Sequence, residues 1–320
     1  MKSVCVVTVT YGNRSHLLAK VVESCIQERV QSIIIVDNGS TQESKENIDN
    51  LVAQNPNLID WISLDENFGS AGGYKRGLMR ARELSSCDYI WVLDDDNVPQ
   101  QGALESLLNA KALLSPLGKI VLVSYRKILD KNFEVINKAI LWKSVSEGEV
   151  LGERKNLTER VIKKFHKTTN VKNEIIAPLI KRVHASYGGM FIDIAALDEV
   201  GYPNEDFYLY ADDIEYSGRF SDLGYKIFTC YMSQIIDIDY QLGVEGYFNE
   251  SQSDIKVYYS LRNHFYLSGG KSKSSLLLKF LNIEFNNINK IKKFSFFCKR
   301  SLLVLRALND GRKGKLGRII

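Results

Sequence analysis

Short apolar runs alternate with amphipathic stretches through the first 125 residues. Val4–Val9 is β-branched and reads as a buried strand ending at Thr10-Tyr11-Gly12-Asn13-Arg14. Leu17, Leu18, Val21, Val22 and Cys25 then recur at helical spacing. Ser32–Val36 predicts a second strand, Asp37-Asn38-Gly39-Ser40-Thr41 a turn, and Ser40 or Thr41 a cap for the next helix. A third strand over Leu58–Ser63 leads into a glycine-rich turn, Asn67-Phe68-Gly69-Ser70-Ala71-Gly72-Gly73, with a helix from Tyr74 to Leu84. Tyr89–Leu93 is the fourth strand. Four strand–helix alternations predict an α/β fold with a parallel sheet and crossover helices.

The pattern continues with a helix near Ala103–Leu114 and a strand over Lys119–Ser124. Residues 143–182 are polar, charged and weakly periodic, an unusually long connection for a single domain. Periodicity returns at Ala185–Asp193, with a helix near Ala195–Val200. Tyr225–Cys230 and Ser233–Ile238 predict the last strands. Beyond Asp254 the chain reads as helical.

Charge changes this picture at one end. The net charge of +4 conceals a basic tail: Lys271–Ile320 carries 13 Lys and Arg against Glu284 and Asp310, whereas the first 270 residues carry 29 basic and 36 acidic side chains. The acidic main body speaks against nucleic acid as its partner. Phe294, Phe296, Phe297, Leu302, Leu303, Leu305 and Leu308 are interleaved with Lys290, Lys292, Lys293, Lys299, Arg300 and Arg306. That mixture predicts a helix lying on an anionic membrane face. No apolar run approaches the roughly 18–20 residues that span a bilayer, and the N-terminus enters a strand without a signal-peptide pattern. Five scattered cysteines form no CxxC pair. The expectation is a cytoplasmic protein, peripheral at the inner face of the plasma membrane.

The candidate chemistry is carboxylate chemistry. Asp94, Asp95 and Asp96 follow the Tyr89–Leu93 strand directly. Like charges so close oppose joint ionisation, and a hard divalent cation relieves them. Such a cluster would lie beyond the carboxyl end of a parallel strand, where open α/β sheets bind ligands. Asp37 ends the second strand, where it is a turn former or an acceptor for the imide N–H of a pyrimidine base. Gly69–Gly73 offers backbone N–H groups to phosphate, and Arg76 stands one helical turn further on. A second cluster, Asp212, Asp213 and Glu215, follows the apolar run Phe207–Tyr210 and could supply a general base. Asp237 and Asp239 alternate with isoleucine on the last strand, and either could complete a metal shell. The four histidines have no mutual ligand spacing.

VTVTYGNR, IIIVDNGST, ENFGSAGGYKRGL, WVLDDDNVP, YGGMFID and DFYLYADDIEY occur in an order that resembles the inverting GT-A glycosyltransferases of family 2, over about residues 3–266. NFGSAGGYKRG and ADDIEY are similar to bacterial galactofuranosyltransferases; rhamnosyltransferases are next nearest. The resemblance implies a GT-A catalytic domain over 1–250, with a nucleotide-sugar half near 1–125 and an acceptor half near 126–250. A helical region would follow over 251–320, basic and amphipathic from 271. It implies Mn2+ or Mg2+ on Asp94, Asp96 and Asp237, the last standing where the family usually has histidine. Thr10, Tyr11, Asp37, Asn67, Gly72, Arg76 and Asp95 would bind a UDP-sugar donor. Asp213 would be the catalytic base, with Asp212, Glu215, Tyr187, Gly188 and Gly189 around the acceptor. The implied reaction is transfer of galactofuranose from UDP-galactofuranose to a lipid-linked bacterial surface glycan. A rhamnosyltransferase using dTDP-rhamnose and a non-catalytic nucleotide-sugar-binding protein are the alternatives.

Overall fold

The computed structural model describes residues 2–84, 87–129, 135–136, 179–239, 247–269 and 294–319. These fall into two units, one holding the described residues up to 239 and the other those from 247 onward.

The first unit is built on a sheet whose strands are β1 (Val4–Gly12), β2 (Ser32–Ser40), β3 (Ile59–Leu64), β4 (Tyr89–Asp94), β5 (Asn97–Pro99), β6 (Ile120–Leu129), β7 (Val135–Ile136), β8 (Leu179–Arg182), β9 (Met190–Asp193) and β10 (Lys226–Asp237). The main path runs β3-β2-β1-β4-β9-β6-β10-β5, with β7 on β6 and β8 on β10. β3, β2, β1 and β4 are parallel, as are β6 and β10. β9 enters between the two parallel blocks in the opposite sense. Its four residues are too short to announce a strand in the sequence, and the antiparallel members modify the parallel expectation.

Both faces of the sheet are covered, which is why β1 and β2 are apolar on consecutive residues. Val7, Val9, Ile34 and Val36 pack on one side with Leu78, Tyr216 and Phe220. Val4, Val6, Ile33 and Ile35 pack on the other with Leu18, Val22, Trp91 and Leu107. Helices α1 (Ser15–Gln27), α2 (Gln42–Gln54), α3 (Gly69–Leu84), α4 (Ala103–Leu114) and α5 (Asp212–Asp222) surround the strands. Thr41 caps α2, its side chain accepting from the Ser44 N–H. Glu28 caps α4 from outside, its two oxygens accepting from the Gly102 and Leu104 N–H groups at 2.7 Å each.

Two elements depart from the sequence pattern. α3 starts at Gly69 rather than Tyr74, so the glycine run forms the helix's first turns instead of a loop. Asn67 Oδ1 accepts the Gly69 N–H at 2.7 Å and starts that turn. Tyr225–Cys230 and Ser233–Ile238 are one strand, β10, whose pairing to β6 shifts register between Cys230 and Gln234. The segment 137–178, which holds most of the predicted polar connection, lies outside the described residues.

In the second unit, α6 (Asp254–Leu267) packs against α7 (Phe294–Arg312). Val304 and Ala307 are buried on α7, and the Tyr258 hydroxyl donates to Asp310 at 2.8 Å. Phe297 stacks on Phe248 and Arg300 is buried, so part of the predicted membrane stripe is internal. Leu302 and Leu305 remain 69% and 60% exposed. Lys290, Lys292 and Lys293 lie outside the described residues.

Glycine is required where α3 meets the sheet. A Cβ on Gly77 would stand 2.5 Å from Val7 Cγ1 and 3.1 Å from Val36 Cγ2. Gly77→Val should therefore cost about 1–3 kcal/mol or more through overpacking. Urea unfolding checks this, and an unchanged midpoint would contradict close packing there.

Candidate active site

β1, β4 and β10 end at one rim, and the ends of β4 and β10 bring five carboxylates together there. Asp94, Asp95 and Asp96 leave β4. Pairing of Asp237 with Asn97 across β10 and β5 carries Asp237 beside them, and the Ile238 N–H donates to the Asp96 carbonyl at 3.0 Å. Asp239 follows. The sequence offered Asp237 or Asp239 as the additional acid, and the backbone delivers both.

Two arginines that sequence reasoning did not single out as functional hold this group. Arg14, just beyond β1, donates to Asp95 through Nε and Nη2 at 2.9–3.1 Å, to Asp96 at 2.7 Å and to Asp239 at 2.6 Å. Arg126, near the end of β6, lies 3.3 Å from Asp94 and 3.9 Å from Asp237. Their signal is invisible in sequence, since Arg14 and Asp239 are separated by 225 positions. Tyr74 is a third unexpected member: its hydroxyl donates to Asp94 Oδ1 at 2.6 Å.

The expected donor residues prove to be heavily committed within the protein. Asp95 is buried, accepts from Thr10 Oγ1 at 2.7 Å and forks with Arg14. Burial raises its pKa, against the opposing pull of Arg14 and Thr10. The Asp37 carboxylate is also buried, accepting from the Ser40 N–H at 2.8 Å and Ser63 Oγ at 3.3 Å, the contacts of a turn former. Tyr11 is half exposed beside Arg14. Asn67 serves the α3 start. The Arg76 guanidinium donates to the Gly72 carbonyl at 2.8 Å and to Glu205 at 3.0 Å, and Lys75 meets the same Glu205 at 2.8 Å. Arg76 therefore has a protein counter-ion, Glu205, which no sequence signal marked.

Three of the carboxylates form the candidate metal set. Burial and the neighbouring carboxylates of Asp94, Asp237 and Asp95 push Asp96 up to about 8, and burial pushes Asp237 up to about 6. That crowding of carboxylates, an oxygen-only donor set, fits a hard cation such as Mg2+ or Mn2+. Among the described residues no three metal-ligating side chains already converge as a cage. Arg14 holds one Asp96 oxygen and Asn97 Nδ2 the other.

The second carboxylate group stands at the start of α5. Asp212 is buried and accepts from Ser70 Oγ of α3 at 2.7 Å. Burial pushes Asp212 up to about 6. Burial and then the Asp212 charge push Asp213 up to about 7. Asp94 raises Asp213 further and Arg126 opposes it, so the two groups sense each other. Glu215 departs from the acceptor-facing expectation: Arg219, one turn along α5, takes both its oxygens at 2.7 and 2.6 Å. Tyr187 is buried, its ring tilted against those of Tyr74 and Tyr216. Gly188 touches the first group directly. A Cβ there would collide with Asn97 Oδ1 and stand 2.6 Å from Asp94 Oδ2. Gly189, with φ of +94°, continues that turn.

Glycosyltransferases are among the solved structures similar to this chain in shape. GalNAc-T7 with UDP, GalNAc and Mn2+ superposes with a TM-score of 0.59 at 15% identity, over 93% of this chain and 57% of that one. Residues 1–349 of S. aureus TarS with UDP-GlcNAc give 0.56 at 15% identity, over 97% and 80%. This chain thus spans little more than half of the first of these proteins. The fold they share with it is GT-A, and the molecule is a glycosyltransferase. Residues 5–167, about half its length, match glycosyl transferase family 2, and the chain belongs to that family. The galactofuranosyltransferase GlfT1 of Mycolicibacterium smegmatis is 22% identical over 273 residues, 82% of each chain. A teichoic acid poly(glycerol phosphate) polymerase of Staphylococcus epidermidis is 33% identical over 117 residues, 35% of this chain and 16% of its own.

The Asp212–Asp213 pair sets a pH dependence. An unfolded chain ionises its carboxyls near 4, so the folded chain binds more protons from about pH 4 to about pH 7. Stability then falls as pH rises through that window. The metal-free protein should melt at a higher temperature at pH 5 than at pH 8. Asp213→Asn should shrink the difference, and scanning calorimetry would expose an unshrunken one.

Proposed function

We propose that this chain moves galactofuranose from UDP-galactofuranose onto a hydroxyl of a growing bacterial cell-surface glycan, with inversion at the anomeric carbon. The observation that carries this reading is Asp213, a carboxylate raised to about 7 at the start of α5, within electrostatic reach of Asp94. A base so tuned accepts a proton near neutral pH while a separate acidic group faces the leaving phosphate. The similarity to galactofuranosyltransferases supports the donor sugar. The UDP ligands named for GalNAc-T7 and TarS support the nucleotide.

In this reading Tyr11, Thr10 and the Asp37 turn receive the nucleoside, with Asn67, Gly72 and Asp95 shaping the pocket around it. Asp213 takes the acceptor O–H proton as that oxygen bonds to the anomeric carbon. The bond from that carbon to the UDP oxygen breaks, and UDP departs with the electron pair. Arg76 leaves Glu205 to meet the diphosphate. Asp212, fixed by Ser70, keeps the base oriented, and Gly188 and Gly189 leave room for the acceptor. Asp94, Asp96 and Asp237 would hold Mn2+ or Mg2+, which when bound supplies charge compensation for the diphosphate.

Asp213→Asn removes proton acceptance with little change of volume. It should lower kcat about 10²- to 10⁴-fold and leave the dissociation constant for UDP unchanged. Normal turnover by Asp213→Asn alongside a dead Asp212→Asn would reverse the two roles. Excess chelator should abolish transfer, and Asp96→Ala should erase the Mn2+-dependent part of UDP binding in calorimetry. Full activity in chelator would remove the metal from the proposal.

We extend the reading to attachment of the second unit to an anionic membrane face. No helix among the described residues is long and apolar enough to cross a bilayer. Exposed Leu302 and Leu305 on α7 lie among the exposed cations Lys299, Arg306, Arg312 and Lys313. Each surface cation contributes about 1 kcal/mol at an anionic leaflet. The double substitution Leu302→Asp and Leu305→Asp should cut sedimentation with phosphatidylserine-containing liposomes about tenfold or more. Undiminished sedimentation would take α7 out of the attachment.

A further inference from the structure

Between β6, β8, β10 and the segment 184–188 lies a groove enclosing about 440 Å³, its open mouth included. Arg126, Arg182, His184, Ser186, Gly188 and Thr229 line it, and among the described residues no carboxylate does. Its chemistry is the reverse of the acidic rim beside it. Arg182 is oriented by its neighbour, Nε donating to Thr229 Oγ1 at 3.1 Å, and burial lowers its pKa. Burial likewise lowers His184, leaving a neutral imidazole able to hydrogen-bond. Arg126 joins the groove to the rim, because the same guanidinium lies 3.3 Å from Asp94.

We propose that this groove is an anion subsite that takes a phosphate or diphosphate group attached to the acceptor. Guanidinium pairs with a hydroxyl and an imidazole beside them match phosphate oxygens, and Arg does so with directional, charge-assisted bonds. The groove's place in the sheet separates it from the donor. The nucleoside residues stand on β1 and β2, the acidic group on β4, and the groove two and three positions beyond β4, around β6 and β10. A donor diphosphate facing Asp94 and Asp96 lies between the two. Gly188 belongs both to the groove and to the contact with Asp94, so an acceptor held here would present its sugar toward the reacting carbon. This inference rests on the transferase reading for the identity of the acceptor, and it adds the acceptor's charge.

Binding calorimetry on the full chain, without donor or metal, tests the subsite apart from transfer. The probes are octyl rhamnoside and octyl galactoside, the matching octyl glycosyl phosphodiesters, and inorganic phosphate. At least one phosphodiester should bind about 10- to 100-fold more tightly than its glycoside, the range for a charged hydrogen bond. Arg182→Gln should remove that advantage and leave the weak glycoside affinity, while Arg182→Lys should keep part of it, with thermal unfolding confirming that both variants fold. Equal binding of phosphodiester and glycoside would overturn the proposal. So would Arg182→Gln lowering both alike, or inorganic phosphate binding as tightly as the phosphodiesters. Failure of donor cleavage with intact phosphodiester selectivity would instead count against the transferase reading and leave the subsite standing.

Discussion

Repulsion among carboxylates collected at one rim of the sheet is the constraint on which the rest of the site depends. Asp94, Asp95, Asp96, Asp237 and Asp239 approach one another because strand ends converge, and a buried carboxylate left without a counter-charge is strongly destabilising. Arg14 and Arg126 make the convergence tolerable from opposite sides. Arg14 forks onto Asp95 and reaches Asp96 and Asp239, while Arg126 faces Asp94 and Asp237. The neutralisation is incomplete, since Asp96 still holds its proton up to about 8. A rim built this way is prepared for further positive charge, and the turn at Gly188 packs directly against it.

The legible parts of the fold were those whose burial is two-sided. β1, β2 and β4 are apolar on consecutive residues because helices cover both faces, and α4 occupies Ala103–Leu114 as its periodicity predicts. What escaped was set by partners distant in sequence or by geometry that mimics another element. Gly69–Gly73 reads as a loop because glycine is a poor helix former, yet at Gly73 contact with Val9 leaves no room for a side chain. Tyr231-Met232 reads as a break between two strands, whereas β10 continues through it with a shift of register. Strand pairing could not be read at all for β9, and with it the antiparallel break in the sheet.

Of the site, the acidic clusters were legible as types and the network around them was not. A triple aspartate after a buried strand is unusual enough to mark itself. Arg14, Arg126, Tyr74 and Glu205 are unremarkable residues in their local stretches, and their importance comes from pairings 20 to 225 positions long. The same distance effect explains Glu215 and Arg76. Sequence spacing placed each near chemistry, but Arg219 and Glu205 supply nearer partners in the folded chain.

α3 is the element that relates the two acidic groups. Its glycine face lies on β1 and β2, which fixes it over those two strands. Its other residues grip the segment before α5: Ser70 donates to Asp212, the Ala71 N–H to the Tyr208 carbonyl, and Lys75 and Arg76 to Glu205. Tyr74 meanwhile donates to Asp94. The gripped segment carries Tyr208, Tyr210 and Ala211 at φ of +62°, +66° and +59°, a left-handed backbone that non-glycine residues adopt at a cost of about 1–3 kcal/mol each. Such a conformation persists only where surrounding contacts over-determine it, and α3 supplies those contacts. The strain thus falls immediately before Asp212 and Asp213, and the helix that enforces it is the one that also positions Asp94. A single rigid helix thereby sets the candidate base against the candidate metal site.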